Sequence, residues 1–227
     1  MVSLIKSAHP AHTRYRKGVK PPSINMLKPG TNNAKLGGYV TAKKWQGMAM
    51  YSLTLEERAT CPTTCQQWEN CYGNNMPFAH RFDHTHPDFL LALGMQLTKL
   101  HKKHKDEGVV VRLHVLGDFF SPAYVEWWKW ALNTFPWLNA FGYTHQPRSS
   151  TIGKMIESLN TRRADRWQVR FSDDKTTTMA AHVVPEHTQP VKGVSVLCPE
   201  QTGAAKSCAA CGLCWSAPNR EILFVEH

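Results

Sequence analysis

The stretch VVVRLHVLGDFFSPAYVEWWKWALNTF, residues 109–135, decides the fold class. Its first part, Val109 to Leu116, is an apolar run rich in β-branched residues and bounded by glycines, which predicts a buried strand. Gly117-Asp118 breaks that strand, and Ser121-Pro122 then opens a helix: the serine oxygen accepts a first-turn N–H, and proline fits the first helical position. Val125, Trp128, Leu132 and Phe135 recur at helical spacing and mark the inner face. A buried strand, a tight turn and an amphipathic helix make one step of a βαβ unit.

The same alternation continues in both directions. Upstream, His86-Pro87 opens a helix with Phe89, Leu93, Leu97 and Leu100 on one face, Gly108 stops it, and Gly47 to Leu53 reads as a preceding strand. Downstream come a strand over 139–143, a helix over 150–159, and a strand from Trp167 to Phe171. A weaker segment around MAAHVVP follows, and a last strand runs from Val191 to Leu197. The expectation is an α/β protein: a partial (βα)6-type barrel, or a curled, mainly parallel sheet with helices outside and a cysteine-rich C-terminal extension. Residues 1–35, basic and rich in Pro and Gly, read as an arm over the surface. Residues 36–197 read as the α/β core, and 198–227 as the metal-binding extension.

The chain has 227 residues, of which 42% are hydrophobic and 19% charged, so it can bury a core without covalent staples. Its formal net charge of +10 favours anionic partners without choosing among nucleic acid, nucleotides and phosphorylated substrates. The N-terminus lacks the apolar segment of a signal peptide, and no apolar run is long enough to span a membrane, so the reading is a cytoplasmic protein with no membrane partner. Trp127, Trp128 and Trp130 suggest part core and part cover rather than a base-stacking surface.

The seven cysteines fall into two groups, Cys61, Cys65, Cys71 and Cys198, Cys208, Cys211, Cys214, and residues 72–197 hold none. An odd number in a chain of this size argues against a disulfide framework and for metal. Cys208-x2-Cys211-x2-Cys214 is the step by which a loop wraps an iron–sulfur cluster, and Pro199 follows Cys198 as it follows the remote ligand in bacterial ferredoxins. Four thiolates suit one closed [4Fe–4S] cluster; a four-cysteine zinc site is the alternative. Cys61-x3-Cys65-x5-Cys71 offers three thiolates. They fit either a [4Fe–4S] cluster with one iron open to a small molecule, or a closed zinc site completed by His80, His84 or His86.

In parallel α/β sheets chemistry gathers beyond the carboxyl ends of the strands. The residues just past the expected strands are the first cysteine loop, Gly117-Asp118, Thr144-His145, Ser172-Asp173 and Cys198, all expected on one rim. Asp118 also reads as a cap for the helix at Ser121, and Ser172 and Asp173 as turn residues.

The segments NAKLG, TCPTTCQQWENCY, RLHVLGDFFSPAYVEWW, YTH, FSDD and the final CxxCxxCW together resemble the phage-encoded gene product 88 family, from about Asn33 to Trp215. That family is in turn similar to radical S-adenosylmethionine enzymes. The resemblance implies a partial (βα)6 barrel, a [4Fe–4S] cluster on Cys61, Cys65 and Cys71, and S-adenosylmethionine chelating its open iron. Reductive cleavage to a 5′-deoxyadenosyl radical, fed by an external electron donor, would then act on a small-molecule or anionic substrate. Those enzymes usually space their cysteines C-x3-C-x2-C, and the x5 gap here is longer. By the same resemblance Gly117-Asp118 would meet the amino group of S-adenosylmethionine, Ser172 and Asp173 its ribose, and Thr144 and His145 the substrate. Cys198, Cys208, Cys211 and Cys214 would hold an auxiliary cluster, and a phage-encoded protein would work in the host cytoplasm. Two other classes stay open: a zinc-stabilised nucleic-acid-binding protein without enzymatic activity, and a two-cluster electron carrier.

Overall fold

The protein is described by a computed structural model covering residues 11–23, 25–42, 44–174 and 178–226. Its strands are β1 (Val19–Lys20), β2 (Lys28–Pro29), β3 (Ala49–Ser52), β4 (Arg81–Phe82), β5 (Val109–Leu113), β6 (Leu138–Thr144), β7 (Trp167–Ser172), β8 (Ala180–Val184), β9 (Ser195–Leu197) and β10 (Glu221–Val225). The helices are α1 (Phe89–His104), α2 (Pro122–Thr134), α3 (Thr151–Arg162), α4 (Cys208–Cys211) and α5 (Leu213–Ser216).

Eight strands form one sheet in the order β2-β3-β5-β6-β7-β8-β10-β9, and β1 pairs with β4 beside it. Within the large sheet only β2 runs antiparallel to its neighbour. The mainly parallel sheet expected from the sequence is therefore present, but it is open and not closed into a barrel, with β2 and β9 as its edges. Two local features account for that. Pro29 in β2 has no N–H to extend the ladder. At the other side the βα rhythm stops after α3: β8 starts opposite the end of β7, pairing Ala180 with Phe171 and Ala181 with Ser172. No crossover helix is needed there.

Alternation along the strands sorts side chains onto two faces. Val109, Val111, Leu113, Leu138, Ala140, Trp167, Val169 and Phe171 pack with α1, α2 and α3 in the main core. Met50, Val110 and Phe141 face the other way, where Leu36, Val40, Trp45, Ala209 and Trp215 cover them. The three long helices thus lie on one face, and the residue 36–45 segment and the C-terminal cysteine segment lie on the other. Ser121 caps α2, its Oγ accepting from Tyr124 N at 3.2 Å, with Pro122 at the first helical position as expected.

Strand and helix cores match the sequence reading, with differences at the ends. β5 stops at Leu113 because His114 turns the chain in the left-handed region, φ +53°. Of the expected strand from Val191 to Leu197, only Ser195–Leu197 is a strand; Val191 begins a turn, its carbonyl accepting from Val194 N and Ser195 N. The segment MAAHVVP supplies β8. Sequence periodicity missed β10, which follows the last cysteine and inserts between β8 and β9. Met26 and Leu27, within the N-terminal segment, are buried in the main core.

Candidate functional site

The first cysteine group lies in the long connection after β3, and two buried arginines shape it. Arg81 of β4 is fully buried and forms a two-pronged ion pair with Glu57, Nε to Oε2 at 2.6 Å and Nη2 to Oε1 at 2.9 Å. Its remaining N–H groups donate to the carbonyls of Gly73, Met76 and Ala79, while Thr13 donates its hydroxyl to Glu57 Oε1 at 2.6 Å. Arg58 donates to Trp68 O at 3.2 Å and Asn74 Oδ1 at 2.7 Å. A loop whose regular structure is limited to one 3-10 turn, Tyr72–Asn75, is thereby tied down through its carbonyls. It presents Cys65 buried and Cys61 and Cys71 half-buried.

These three sulfurs share one neighbourhood with the ends of β5 and β6. Burial pushes the Cys61 thiol well up, with further upward contributions from Asp118, Cys65 and Cys71. Burial also raises Cys71. Asp118 itself is buried and spoken for: Oδ1 accepts from Thr144 Oγ1 and Phe119 N at 2.7 Å each, and Oδ2 from His145 N at 2.7 Å. It ties the end of β5 to the end of β6. It is not the cap of α2, a role that Ser121 fills. Gly117, at φ +84°, is required by closeness as well as by angle, because a Cβ would meet Thr60 Oγ1 at 2.5 Å and Leu55 Cβ at 2.7 Å.

His145 reaches the sulfurs directly. Its side chain contacts Cys65, and its Nε2 stands 3.5 Å from Asp173 Oδ2, an ion-pair contact too poorly aligned for a hydrogen bond. Burial opposes a charge on this ring, but Asp173, Cys65 and Asp118 outweigh it and raise the imidazole to about 10. Asp173 adopts φ +56° at the end of β7, which turns its carboxylate toward His145. Gly117, Asp118, Thr144, His145 and Asp173 are therefore brought together around the first cysteine group. For Ser172 the described contact is its ladder pairing with Ala181.

The contacts of the three histidines suggested as a fourth ligand lead elsewhere. His80 lines a cleft of about 320 Å³ together with Lys28, Asn33, Ser52 and Phe78. His84 packs on the ring of Phe120 at 4.7 Å, and His86 Nδ1 accepts from Asp88 N at 3.2 Å.

The second group is built differently. Ser207 caps α4, and Gly212, at φ +64°, ends α4 and begins α5, so Cys208, Cys211 and Cys214 ride two successive helical turns. Backbone bonds from Cys208 N to Lys35 O and from Ala209 N to Leu36 O dock the segment onto the chain before β3. Trp215 stacks on Trp45 with centroids 5.5 Å apart and meets Phe141 at 4.6 Å. Cys198 follows β9 and is buried with Ala181 and Ile222. Burial pushes the Cys208 thiol up to about 12, with Cys214 and Cys198 adding to it. Tyr143 donates its hydroxyl to Cys214 Sγ at 2.8 Å. Cys211 is held through its backbone, N to Ser207 O at 3.0 Å.

Among the described residues, no three His, Cys, Asp or Glu side chains stand close enough to share one metal ion. Thiolates on a single zinc, with bonds of about 2.3 Å, lie within roughly 4 Å of one another, whereas a cluster with iron at several corners seats them farther apart. The donor sets, three thiols in one group and four in the other, suit the cluster in kind. Each also has a cation beside it, protonated His145 at the first and Arg112 at the second, which suits thiolates bound to metal. Sequence reasoning missed Glu57, Arg81, Arg112, Tyr143 and Arg170. The signal for Glu57 was the run Glu56-Glu57-Arg58 just before the cysteines; a lone arginine inside an apolar strand was the signal for Arg112 and Arg170.

No helix among the described residues is long and apolar enough to cross a membrane. No curated protein and no solved structure matches the chain. A family model described as gene product 88 matches residues 25–217, spanning both cysteine groups and the sheet between them, and the chain belongs to that family.

Proposed function

We propose that this protein is an iron–sulfur enzyme of the radical S-adenosylmethionine type, with an open [4Fe–4S] cluster on Cys61, Cys65 and Cys71 and a second cluster on Cys198, Cys208, Cys211 and Cys214. The observation that carries this reading is the convergence of the three-cysteine loop with Asp118, Thr144, His145 and Asp173 beyond the carboxyl ends of parallel strands. Three thiolates would leave a cluster one position short, and the polar groups nearby are Asp118 and Thr144, buried, and His145 and Asp173, half-buried. Cys61, Cys65 and Cys71 would hold the cluster, and the chemistry supplied there would be one-electron reductive cleavage of S-adenosylmethionine to methionine and a 5′-deoxyadenosyl radical. The chain's own residues orient and shield. Asp118 fixes the β5 and β6 ends, His145 brings a positive charge to Cys65, and Asp173 presents a carboxylate at the mouth.

The test is anaerobic reconstitution with iron and sulfide, followed by an assay for 5′-deoxyadenosine with dithionite as reductant. Product that disappears in Cys65→Ser supports the reading. Stoichiometric zinc, with no cleavage product, overturns it. One observation favours a second reading: His145 lies against Cys65 and, on giving up its proton to zinc binding, would offer a fourth ligand for a closed site. With the +10 charge, that would make a zinc-stabilised nucleic-acid-binding protein, recognised by an affinity for DNA or RNA that falls steeply with salt.

A further inference from the structure

Arg112, beside the second cysteine group, has a role that the fold alone does not explain. It stands near the end of β5, on the face away from the long helices, with its guanidinium 4.3 Å from the ring centre of Tyr143 and 5.5 Å from that of Phe141. Its Nη1 is buried without a hydrogen-bond partner. Guanidinium stays charged at any working pH, and a half-buried cation whose buried donor is unmet calls for an anion. The same face carries a second arginine for contrast. Arg170 donates to the carbonyls of Cys214, Ala180, Ala217 and Arg220, so its donors are consumed in holding the C-terminal segment. Arg112 makes no such carbonyl bonds, and the titratable groups it acts on include Tyr143 and Cys208 of the second cysteine group as well as His114 just past the end of its own strand. Tyr143, stacked beneath it, in turn donates to Cys214 Sγ at 2.8 Å.

We propose that Arg112, together with Tyr143, is the counter-charge of an anionic metal–thiolate centre on Cys198, Cys208, Cys211 and Cys214, and that the pair makes this centre easier to reduce. The proposal rests on the cluster reading above and adds to it a tuning device for the second site. One-electron reduction adds one negative charge to the centre. A fixed cation nearby and a hydrogen bond to a ligand sulfur both favour the reduced form. The electron comes from an external donor, dithionite in the test, and no bond is made or broken.

The experiment is a redox titration of the full-length reconstituted chain, followed by electron paramagnetic resonance, after iron, sulfide and zinc have been counted. The relevant signal is the one lost in Cys208→Ser. In Arg112→Gln the reduction equilibrium should shift about tenfold toward the oxidised form, ~59 mV for one electron. Arg112→Lys, which keeps the charge, should stay near the parent, and Tyr143→Phe should shift in the same direction by less. An unchanged midpoint in Arg112→Gln, or an equal shift in Arg112→Lys, overturns the proposal. Should the site take zinc in place of iron, the cluster reading fails but the counter-charge remains readable. Arg112→Gln should then hold zinc about tenfold less tightly against a chelator, and unchanged affinity overturns it. A chain that binds neither metal at these cysteines overturns both. If Arg112→Gln does not fold, Tyr143→Phe alone decides.

Discussion

Cys61, Cys65 and Cys71 sit in a long irregular loop whose shape comes from two buried arginines, whereas Cys208, Cys211 and Cys214 sit on two short helical turns pressed against an aromatic wall. The difference is between a site assembled by charge and a site assembled by packing. An irregular loop has backbone carbonyls to satisfy, and Arg58 and Arg81 satisfy them with directional bonds that position the chain closely. Helical turns satisfy their own backbone, so the second segment needs only caps, a left-handed break and Trp215 as an anchor.

The comparison can be broken most sharply by removing one anchor from each side. Arg81→Met should destabilise the protein by about 3–5 kcal/mol, because Glu57 is left buried without its partner. It should strip metal from the first group while the second keeps it. Trp215→Ala should cost a similar amount, about 3–5 kcal/mol, through the cavity it leaves, with the opposite pattern of metal loss. Denaturant midpoints at constant slope, with metal counts for each variant, check both. Simultaneous loss of metal from both groups in either variant would show that the two regions are not independent.

Smaller changes sharpen the contrast. Gly212→Ala places a side chain at φ +64° between α4 and α5 and should cost about 1–2 kcal/mol, read in the same denaturation series. Acid should act on the loop rather than on the helical segment. Burial disfavours the Glu57 carboxylate, yet its bonds from Arg81 and Thr13 win and hold it below its ordinary 4.5. A carboxylate whose folded value is lowered contributes stability that is present above the ordinary value and lost as pH falls through the folded one. The stability gap between the parent and Arg81→Met should therefore narrow below about pH 4.5, measured by denaturation at a series of pH values. Smallest of all, Ser207→Ala removes the cap on α4 and should cost about 1 kcal/mol or less, seen as a modest drop in melting temperature.

Much of the sheet was legible because its strands carry continuous apolar runs and its helices an unambiguous stripe. Val109–Leu113, Leu138–Thr144 and Trp167–Ser172 all stand where periodicity puts them. β10 was not legible, since EILFV follows a cysteine motif and has no helix beside it to suggest a further strand. Of the site, the cysteines and the strand-end residues could be read from type and spacing. The ion pair of Glu57 with Arg81 could not, because partners far apart in sequence acquire meaning only when the loop closes. Nor could the pairing of Arg112 with Tyr143, which depends on the register of β5 against β6 and on which face each residue takes.

That register has one more consequence. Tyr143 and Thr144 are the last two residues of β6 and His145 follows it: the first touches Cys214, the second holds Asp118, and the third touches Cys65. Because neighbouring side chains of a strand point to opposite faces, Tyr143 and Thr144 act as a ruler that turns one side chain toward each cysteine group. A shift of β6 by a single residue would turn each of them to the wrong side, so an insertion or deletion within this strand would disable both sites at once.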